Sequence, residues 1–536
     1  MKIIGGKDKF SFHSTLYLIY YISQKYRMRR ILKTNNVKLW GLIALLTLFY
    51  GFAFIFSEFY GSPFGGIKDF CILAMQWGVV VMGTMGLLYA LVLNKYVFAV
   101  FFPLLTVLCT LLTYFRYTLQ VALTPMIIDL ALINDVRTCM DVVSFQLIIW
   151  IILSLCFSAF CVYYRWKYIK VEKWYFHLLV AFVFIMLTNA WIPRFIRPVT
   201  ERMPYSIYYN ICRYLDEKEI VAEKRDTFNA SQATCHSDSL TVVFVLGESL
   251  RYDHLQLNGY ERNTTPLLAK DTSVVSFPDI YTEEYYTHTS VPHILTRADS
   301  IYPERAYNEQ SFITLFKQAG YRTSWIANQE SVDTYVYFMN ECDTLIYANR
   351  GQSLYKFDKW LDGDLLPYYE DELQHRNSKK FVLLHTIGSH WWYNARFPDS
   401  FEQFKPVIKS RVVSACTHEE MINSYDNTIL YTDYVISRLI DELKEKKAIL
   451  FFLSDHGEAL GEDGYYLHAE DYPMSHRPAC FVWYSSSYAL AYPDKIRNLK
   501  NNKMKRYRTD FMFHSILDAA DIESEYMNKD FSILKD

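Results

Sequence analysis

The chain has 536 residues, of which 51% are hydrophobic, 17% aromatic and 21% charged, with 55 Lys and Arg against 57 Asp and Glu. A net charge of -2 leaves no surplus of basic residues to displace phosphate counterions, which excludes a whole-protein role in binding nucleic acid. The apolar content excludes disorder, and the length allows about three or four domain equivalents.

Residues 1–36 carry Lys2, Lys7, Lys9, Lys25, Arg27, Arg29, Arg30 and Lys33 and read as a cytoplasmic segment. Inside it the run FSFHSTLYLIYYI at 10–22 is apolar but too short to span a bilayer, and no small-residue cleavage site follows it. It reads equally as an interfacial helix or as an extension ahead of a start at Met28. Five later stretches, 39–59, 70–93, 96–115, 142–163 and 174–192, reach the roughly 20 apolar residues that a bilayer core requires. Helices of a soluble core seldom run so long without charge and seldom come in series, so 37–192 is expected to be a transmembrane domain of five helices.

Basic residues set its orientation. The N-terminal cluster, and Arg165, Lys167, Lys170 and Lys173 after the fourth span, belong on the inside. Everything beyond Ile192 then lies outside, which in a bacterium means a multi-pass inner-membrane protein with a periplasmic domain. In the 116–141 loop, Met126, Ile127, Leu130, Leu132 and Ile133 fall among Asp129, Asn134, Asp135 and Arg137. That amphipathic pattern suits the outer interface, where a lipid headgroup could sit.

Residues 193–240 form a bridging segment with several tyrosines, expected to include a helix along the membrane. From 241 to 536 β-branched apolar runs at 241–246, 322–327, 380–386, 448–454 and 480–484 alternate with helical patterns such as 310–319 and 419–444. The alternation predicts an α/β domain with a mainly parallel sheet, in which ligands gather at the carboxyl ends of strands.

Three strand ends carry chemistry. The first runs into Leu246-Gly247-Glu248-Ser249, the second into His385-Thr386-Ile387-Gly388-Ser389-His390 and the third into Ser454-Asp455-His456-Gly457-Glu458. Carboxylates beside an imidazole can hold a divalent cation and leave a position open for substrate. Each cluster alone reads as a cap or a solvated turn; three at the proper topological position point to a metal site. A fourth element, Thr287-His288-Thr289-Ser290-Val291-Pro292, places a hydroxyl at a helix N-terminus, where backbone N–H groups stabilise phosphate oxygens.

At these residues the chain resembles the bacterial lipid A phosphoethanolamine transferases of the alkaline phosphatase and sulfatase superfamily. VLGESLRYDHLQLNGYERNTTP resembles the family's opening strand and loop, LLHTIGSH its middle motif, SDHGEALGEDGYYLH its closing motif, and SVPHILTR the helix behind its nucleophile. The resemblance implies an α/β/α sandwich on a five-helix membrane domain. It implies one tightly held zinc ion on Glu248, Asp455, His456 and the nucleophilic Thr oxygen. His390 and His468 would contact the transferred phosphate, assist proton transfer and stand as candidates for a second metal. Asn328 falls near the family's phosphoethanolamine-contacting asparagine.

The implied reaction moves phosphoethanolamine from phosphatidylethanolamine to lipid A or a related glycolipid through a covalent Thr intermediate, in a protein expected to be a monomer. Thr287 leaves a full helical turn before Pro292 and is taken as the nucleophile, with Thr289 as the alternative, because Tyr285-Tyr286 stand where many relatives have Cys-Gly. A glycerol-phosphate transferase of the lipoteichoic-acid type or a sulfatase is the nearest other enzyme, and a membrane scaffold retaining the fold is the non-enzymatic alternative. Cys212, Cys235, Cys342, Cys416 and Cys480 are an odd number, so they cannot all pair within the outer domain.

Overall fold

The computed structural model describes residues 36–59, 65–118, 144–190, 202–222, 225–228, 233–350, 358–410, 413–468 and 471–536, with Val199 and isolated positions between 123 and 132. The expected cytoplasmic segment short of Asn36, its 10–22 run, most of the amphipathic 116–141 loop and most of 191–201 lie outside the described residues. The chain divides into two compact units. One comprises Met1–Tyr60, Cys71–Leu123 and Ala131–Asn210, and the other Gly61–Phe70, Thr124–Leu130 and Ile211–Asp536.

Among the described residues four helices are long and apolar enough to cross a membrane: α1 (Asn36–Glu58), α2 (Ile67–Leu93), α3 (Lys95–Thr118) and α4 (Phe145–Tyr168). The fifth expected span, 174–192, is a helix over Trp174–Ala190, here α5, with 17 residues. At 1.5 Å per residue it rises about 25 Å, short of a hydrocarbon core of about 30 Å, so among the described residues the count by length is four and not five. Phe52, Val100, Leu104, Trp150 and Leu179 are all exposed, a surface that water would penalise and lipid would not. Arg165 is buried and donates Nε to the Val92 carbonyl at 2.6 Å and Nη2 to that of Leu93 at 2.9 Å. It thereby satisfies the orphan carbonyls that end α2 and places its cation at the negative pole of that helix.

A further helix, α6 (Tyr205–Ala222), lies within the bridging segment. The remaining chain builds a seven-stranded sheet. Its strands are β1 (Leu240–Gly247), β2 (Val274–Ser276), β3 (Arg322–Ala327), β4 (Thr344–Tyr347), β5 (Lys379–His385), β6 (Ala448–Ser454) and β7 (Cys480–Tyr484), in the order β2-β7-β6-β1-β5-β3-β4. The strands from β6 to β4 are mutually parallel, and β7 runs antiparallel to both β6 and β2. All five expected strands are present within a residue of the expected ends. The sequence reading missed β2 and β4, short edge strands that pair on one side and are only partly buried.

Strand geometry sorts side chains onto two faces. Leu240, Val242, Phe244 and Leu246 of β1 join one core with α7 (Thr287–Leu295), α8 (Phe312–Gln318) and, further along the chain, the Phe511–Ala519 helix. Val243 and Val245 join the other with α9 (Leu366–Gln374) and α10 (His418–Asp441). Helix α10 starts on a capping box of Thr417 and Glu420.

The loop after β1 is tied to α10 through Asp426, which is fully buried. Its Oδ1 lies 2.7 Å from His254 Nδ1, while Oδ2 accepts from Tyr260 at 2.9 Å and from Arg262 at 2.9 Å. Tyr425 adds its hydroxyl, donated to the Ser249 carbonyl at 2.6 Å and accepting from the Arg251 N–H at 2.8 Å. Much of the long first motif is therefore scaffolding that holds the end of β1 in place. Removing one partner of a buried charged network costs about 3–5 kcal/mol. Asp426→Ala is expected to lower the thermal unfolding midpoint of the detergent-solubilised chain by many degrees; a midpoint within 1–2 degrees, on the scale of about 2–4 °C per kcal/mol for a domain of this size, would refute that role.

Candidate active site

The carboxyl ends of β1 and β6 sit side by side, and each delivers an acid: Glu248 follows β1 and Asp455 follows β6. Together with His456 they offer three ligand atoms within 4.8 Å of one another, and all three residues are buried. Burial first, and the neighbouring Asp455 second, push the Glu248 carboxyl well above the usual carboxylate range. Two such acids without water strongly disfavour double ionisation unless a cation joins them.

Each ligand atom is aimed by a second contact. His456 Nδ1 lies 2.7 Å from the Gly457 carbonyl, which makes Nδ1 the protonated nitrogen and leaves the Nε2 lone pair toward the acids. Asp455 Oδ1 accepts from the backbone N–H groups of Ser249 at 3.1 Å and His456 at 2.8 Å. Its Oδ2 is buried with no hydrogen-bond partner, an orphan that a cation would satisfy. Glu248 accepts from Ser249 Oγ at 2.6 Å on Oε1 and from Gln329 Nε2 at 2.9 Å on Oε2. Ser249 holds φ at +57°, a left-handed conformation unusual for a non-glycine residue. Two carboxylate oxygens, one imidazole nitrogen and a nearby hydroxyl are a donor set that fits zinc.

The hydroxyl belongs to Thr287, the first residue of α7. Its Oγ1 donates to Glu248 Oε2 at 2.9 Å and lies 3.4 Å from His456 Nε2. No side chain caps this helix, because its N-cap is Tyr286. Thr289 points elsewhere, with its Oγ1 directed to the Tyr286 carbonyl at 3.3 Å. Thr287, not Thr289, is the hydroxyl brought to the acids.

Beyond them the imidazoles form a chain. The His468 ring lies 4.6 Å from that of His456 and 5.7 Å from that of His390. Loss of water, with the Arg396 guanidinium second, drives His390 well below the usual histidine range and keeps it neutral. Arg396 also donates Nε to the His390 carbonyl at 3.0 Å. Glu458, fully buried, places Oε1 3.4 Å from His468 Nδ1.

Asn328 does not reach the acids. Its Nδ2 donates to Asp362 Oδ1 at 2.8 Å, and its Oδ1 accepts from Trp360 Nε1 at 2.8 Å and from Asn349. The amide is consumed in a buried structural network, and the adjacent Gln329 is the residue that contacts Glu248. Asp362 in turn receives the N–H groups of Ile387 and Gly388 at 2.8 and 2.9 Å. Gly388 has φ +48°, and a Cβ there would come within 2.6 Å of the Glu248 carbonyl, so only glycine lets the middle motif pack beneath the acid. Sequence reasoning missed Ser249, Gln329, Asp362, Arg396 and Glu458. Ser249 and Glu458 lie inside quoted motifs and could have been flagged there; the other three come from separate loops and carry no local signal.

Acids, imidazole and a helix-end hydroxyl at the carboxyl ends of parallel strands are what a metal-dependent enzyme of phosphate or sulfate esters requires. The sequence model of the family described as Sulfatase matches residues 240–522, and the chain belongs to that family. Among its relatives, the Kdo(2)-lipid A phosphoethanolamine 7''-transferase of Escherichia coli (strain K12) is 36% identical over 277 residues, 49% of this chain and 47% of that protein. Phosphoethanolamine transferase EptA of Escherichia coli (strain K12) is 31% identical over 311 residues, 55% of each chain. The chain thus spans about half the length of the curated relatives it matches. The C-terminal periplasmic domain of EcEptC from Escherichia coli, solved in complex with Zn, is 25% identical and superposes with a TM-score of 0.53 over 58% of this chain and 90% of that one. The integral membrane lipooligosaccharide phosphoethanolamine transferase A of Neisseria meningitidis shares the fold across 92% of this chain and 98% of its own, at 24% identity and a TM-score of 0.52.

Two expectations follow from the site. Residues that orient metal ligands typically contribute 10–100-fold in affinity, so Gln329→Leu and Ser249→Ala should each weaken zinc binding by about that factor in competition with a chelator; unchanged affinity in both would remove them from the site. A buried acid with a raised pKa holds a proton in the folded chain that the unfolded chain has released, so folding stability falls as pH rises above about 4.5. Buried neutral histidines such as His385, His390 and His514 push stability the other way over the same interval, so the expectation is a difference: between pH 5 and pH 7 the metal-free protein should lose more thermal stability, or gain less, than metal-free Glu248→Gln. An identical pH dependence in the two proteins would contradict the reading.

Proposed function

We propose that the protein is a phosphoethanolamine transferase of the bacterial inner membrane, with its α/β domain on the periplasmic side. It takes phosphoethanolamine from phosphatidylethanolamine onto Thr287 and passes it to lipid A or a related glycolipid. The observation that carries this reading is the Thr287 hydroxyl at the start of α7, 2.9 Å from Glu248 and 3.4 Å from His456. Both curated relatives are named phosphoethanolamine transferases, one of them for Kdo(2)-lipid A, and one structural neighbour was solved with Zn. For the domain to lie outside, α5 must cross the bilayer, which its 17 residues allow at the lower end of the spanning range of about 17–25.

Glu248, Asp455, His456 and Thr287 are the residues that would hold a zinc ion. Bound there, zinc supplies the positive charge that lowers the pKa of the hydroxyl and offsets negative charge on the phosphoryl oxygens. Thr287 Oγ1 gives its proton up to solvent and forms the new bond to phosphorus while the bond to the diacylglycerol oxygen breaks. The first-turn amides of α7 face the equatorial oxygens. His468, beside the Glu248 and His456 cluster, donates the proton that diacylglycerol takes as it leaves. In the second half, neutral His390 accepts the proton of the attacking acceptor hydroxyl as its oxygen bonds to phosphorus, the bond from phosphorus to Thr287 Oγ1 breaks, and that oxygen regains a proton from solvent. An acceptor phosphate would need no such base.

The test is purified protein incubated with phosphatidylethanolamine, followed by intact-mass measurement and peptide mapping. A phosphoethanolamine adduct on Thr287 is expected, with its loss in Thr287→Ala and a fall in transfer of at least about 10³-fold. An adduct on Thr289 would overturn the residue assignment. A glycerol-phosphate adduct from phosphatidylglycerol would instead identify the lipoteichoic-acid type of transferase.

A further inference from the structure

Thr287 is preceded by two tyrosines that neither the fold nor the metal centre explains. Tyr286 occupies the N-cap of α7, a position where Ser, Thr, Asp or Asn would cap the helix, and its side chain makes no capping bond. Instead its ring stays 37% exposed, packs on Tyr285 with centroids 4.4 Å apart, and meets the His468 ring edge-on at 6.1 Å. Three residues before His468 in the chain a second pair begins, Tyr465 stacked on Tyr472 at 4.9 Å and 23°, with Tyr465 again 37% exposed. The two pairs are linked through His476, which contacts the Tyr285 ring at 5.4 Å and holds the Asp471 carboxylate at 2.7 Å, next to Tyr472. The backbone around the second pair is held in left-handed conformations at Asp463 and Leu467, with φ of +53° and +62°. Such strain persists only where the surroundings enforce it.

We propose that Tyr286 and Tyr465, backed by Tyr285 and Tyr472, form a ledge that receives a sugar ring of the acceptor beside the Thr287 adduct. This deepens the transferase reading and rests on it for the identity of the acceptor. The chemistry selects a saccharide. Exposed ring faces carry negative charge in their quadrupole, and the axial C–H groups of a pyranose present a matching positive, apolar face. Phenol hydroxyls and the Asp471 carboxylate at the margin can receive sugar hydroxyls. A ring resting on Tyr286 brings its substituents within one residue of the transfer centre, so the ledge determines which acceptor oxygen is presented to phosphorus.

The test measures binding without turnover. Full-length, detergent-solubilised protein carrying Thr287→Ala is titrated with lipid A in mixed micelles and, separately, with phosphatidylethanolamine in the same micelles. Adding Tyr286→Ala or Tyr465→Ala is expected to raise the Kd for lipid A at least tenfold and the Kd for phosphatidylethanolamine less than threefold. The corresponding Phe variants, which keep the ring, should stay within threefold for both. Tyr465→Ala is the safer arm, because Tyr465 stands outside α7 and its removal leaves that helix intact. Unchanged lipid A affinity in both Ala variants overturns the proposal. Equal weakening for the two lipids also overturns it, because the tyrosines then serve acyl chains or the membrane surface and not a sugar. Because Thr287→Ala cannot form the adduct, failure of the covalent mechanism in the preceding test leaves this result readable on its own.

Discussion

Two acids buried within 4.8 Å of each other are the constraint around which the catalytic domain is arranged. At an effective dielectric of about 20 their mutual repulsion, if both were ionised, is at least about 3 kcal/mol, before the cost of removing them from water. The structure offsets part of this with dipoles. Two backbone N–H groups converge on one oxygen of Asp455, a serine hydroxyl and a glutamine amide converge on Glu248, and the start of α7 faces the pair. None of these donors reaches Asp455 Oδ2. The remaining imbalance is one of charge and not of hydrogen bonding, and a divalent cation is the group that closes it.

That arrangement depends on strand register. Gly247 of β1 pairs with Ser454 of β6, so the acids that follow in each strand leave the sheet at the same level. Leu246 of β1 pairs with His385 of β5, which brings the middle motif to the same edge. A slip of one residue would turn Glu248 to the opposite face and into an apolar core. The fully apolar interiors of β1 and β6 are therefore part of the site, since their burial on both faces is what fixes the register.

The same logic accounts for what could be read in the sequence. Central strands are buried on both faces and appear as uninterrupted apolar runs, so β1, β5 and β6 were legible together with the acids that follow β1 and β6 and the histidines that end and follow β5. The edge strands β2 and β4 are short and half exposed, and their composition does not separate them from loop. Among site residues, those presented by strand ends could be found, whereas Gln329 and Arg396 arrive from loops whose positions are tertiary. Asn328 shows how finely position matters. Two adjacent amides follow β3, and the fold turns Asn328 toward Asp362 and Trp360 while Gln329 contacts Glu248. In the membrane unit, composition located α1 to α5, but the length of the last depends on where the helix ends, which apolar character alone does not mark.

Eight cysteines, Cys71, Cys109, Cys156, Cys161, Cys212, Cys235, Cys342 and Cys480, are free of disulfides among the described residues. Without a covalent staple between these, the α/β domain relies on the two apolar cores flanking its sheet and on networks such as that of Asp426. Those cores must also absorb the cost of the buried acids. Any cation that binds the folded site and not the unfolded chain adds stability as RT ln(1 + [L]/Kd), about 4 kcal/mol at a thousandfold excess over Kd. Metal occupancy and folding stability are therefore one linked equilibrium in this domain. Variants that loosen Glu248 or Asp455 act on both at once, so a loss of activity at these positions identifies a catalytic role only when the stability of the metal-loaded chain is measured beside it.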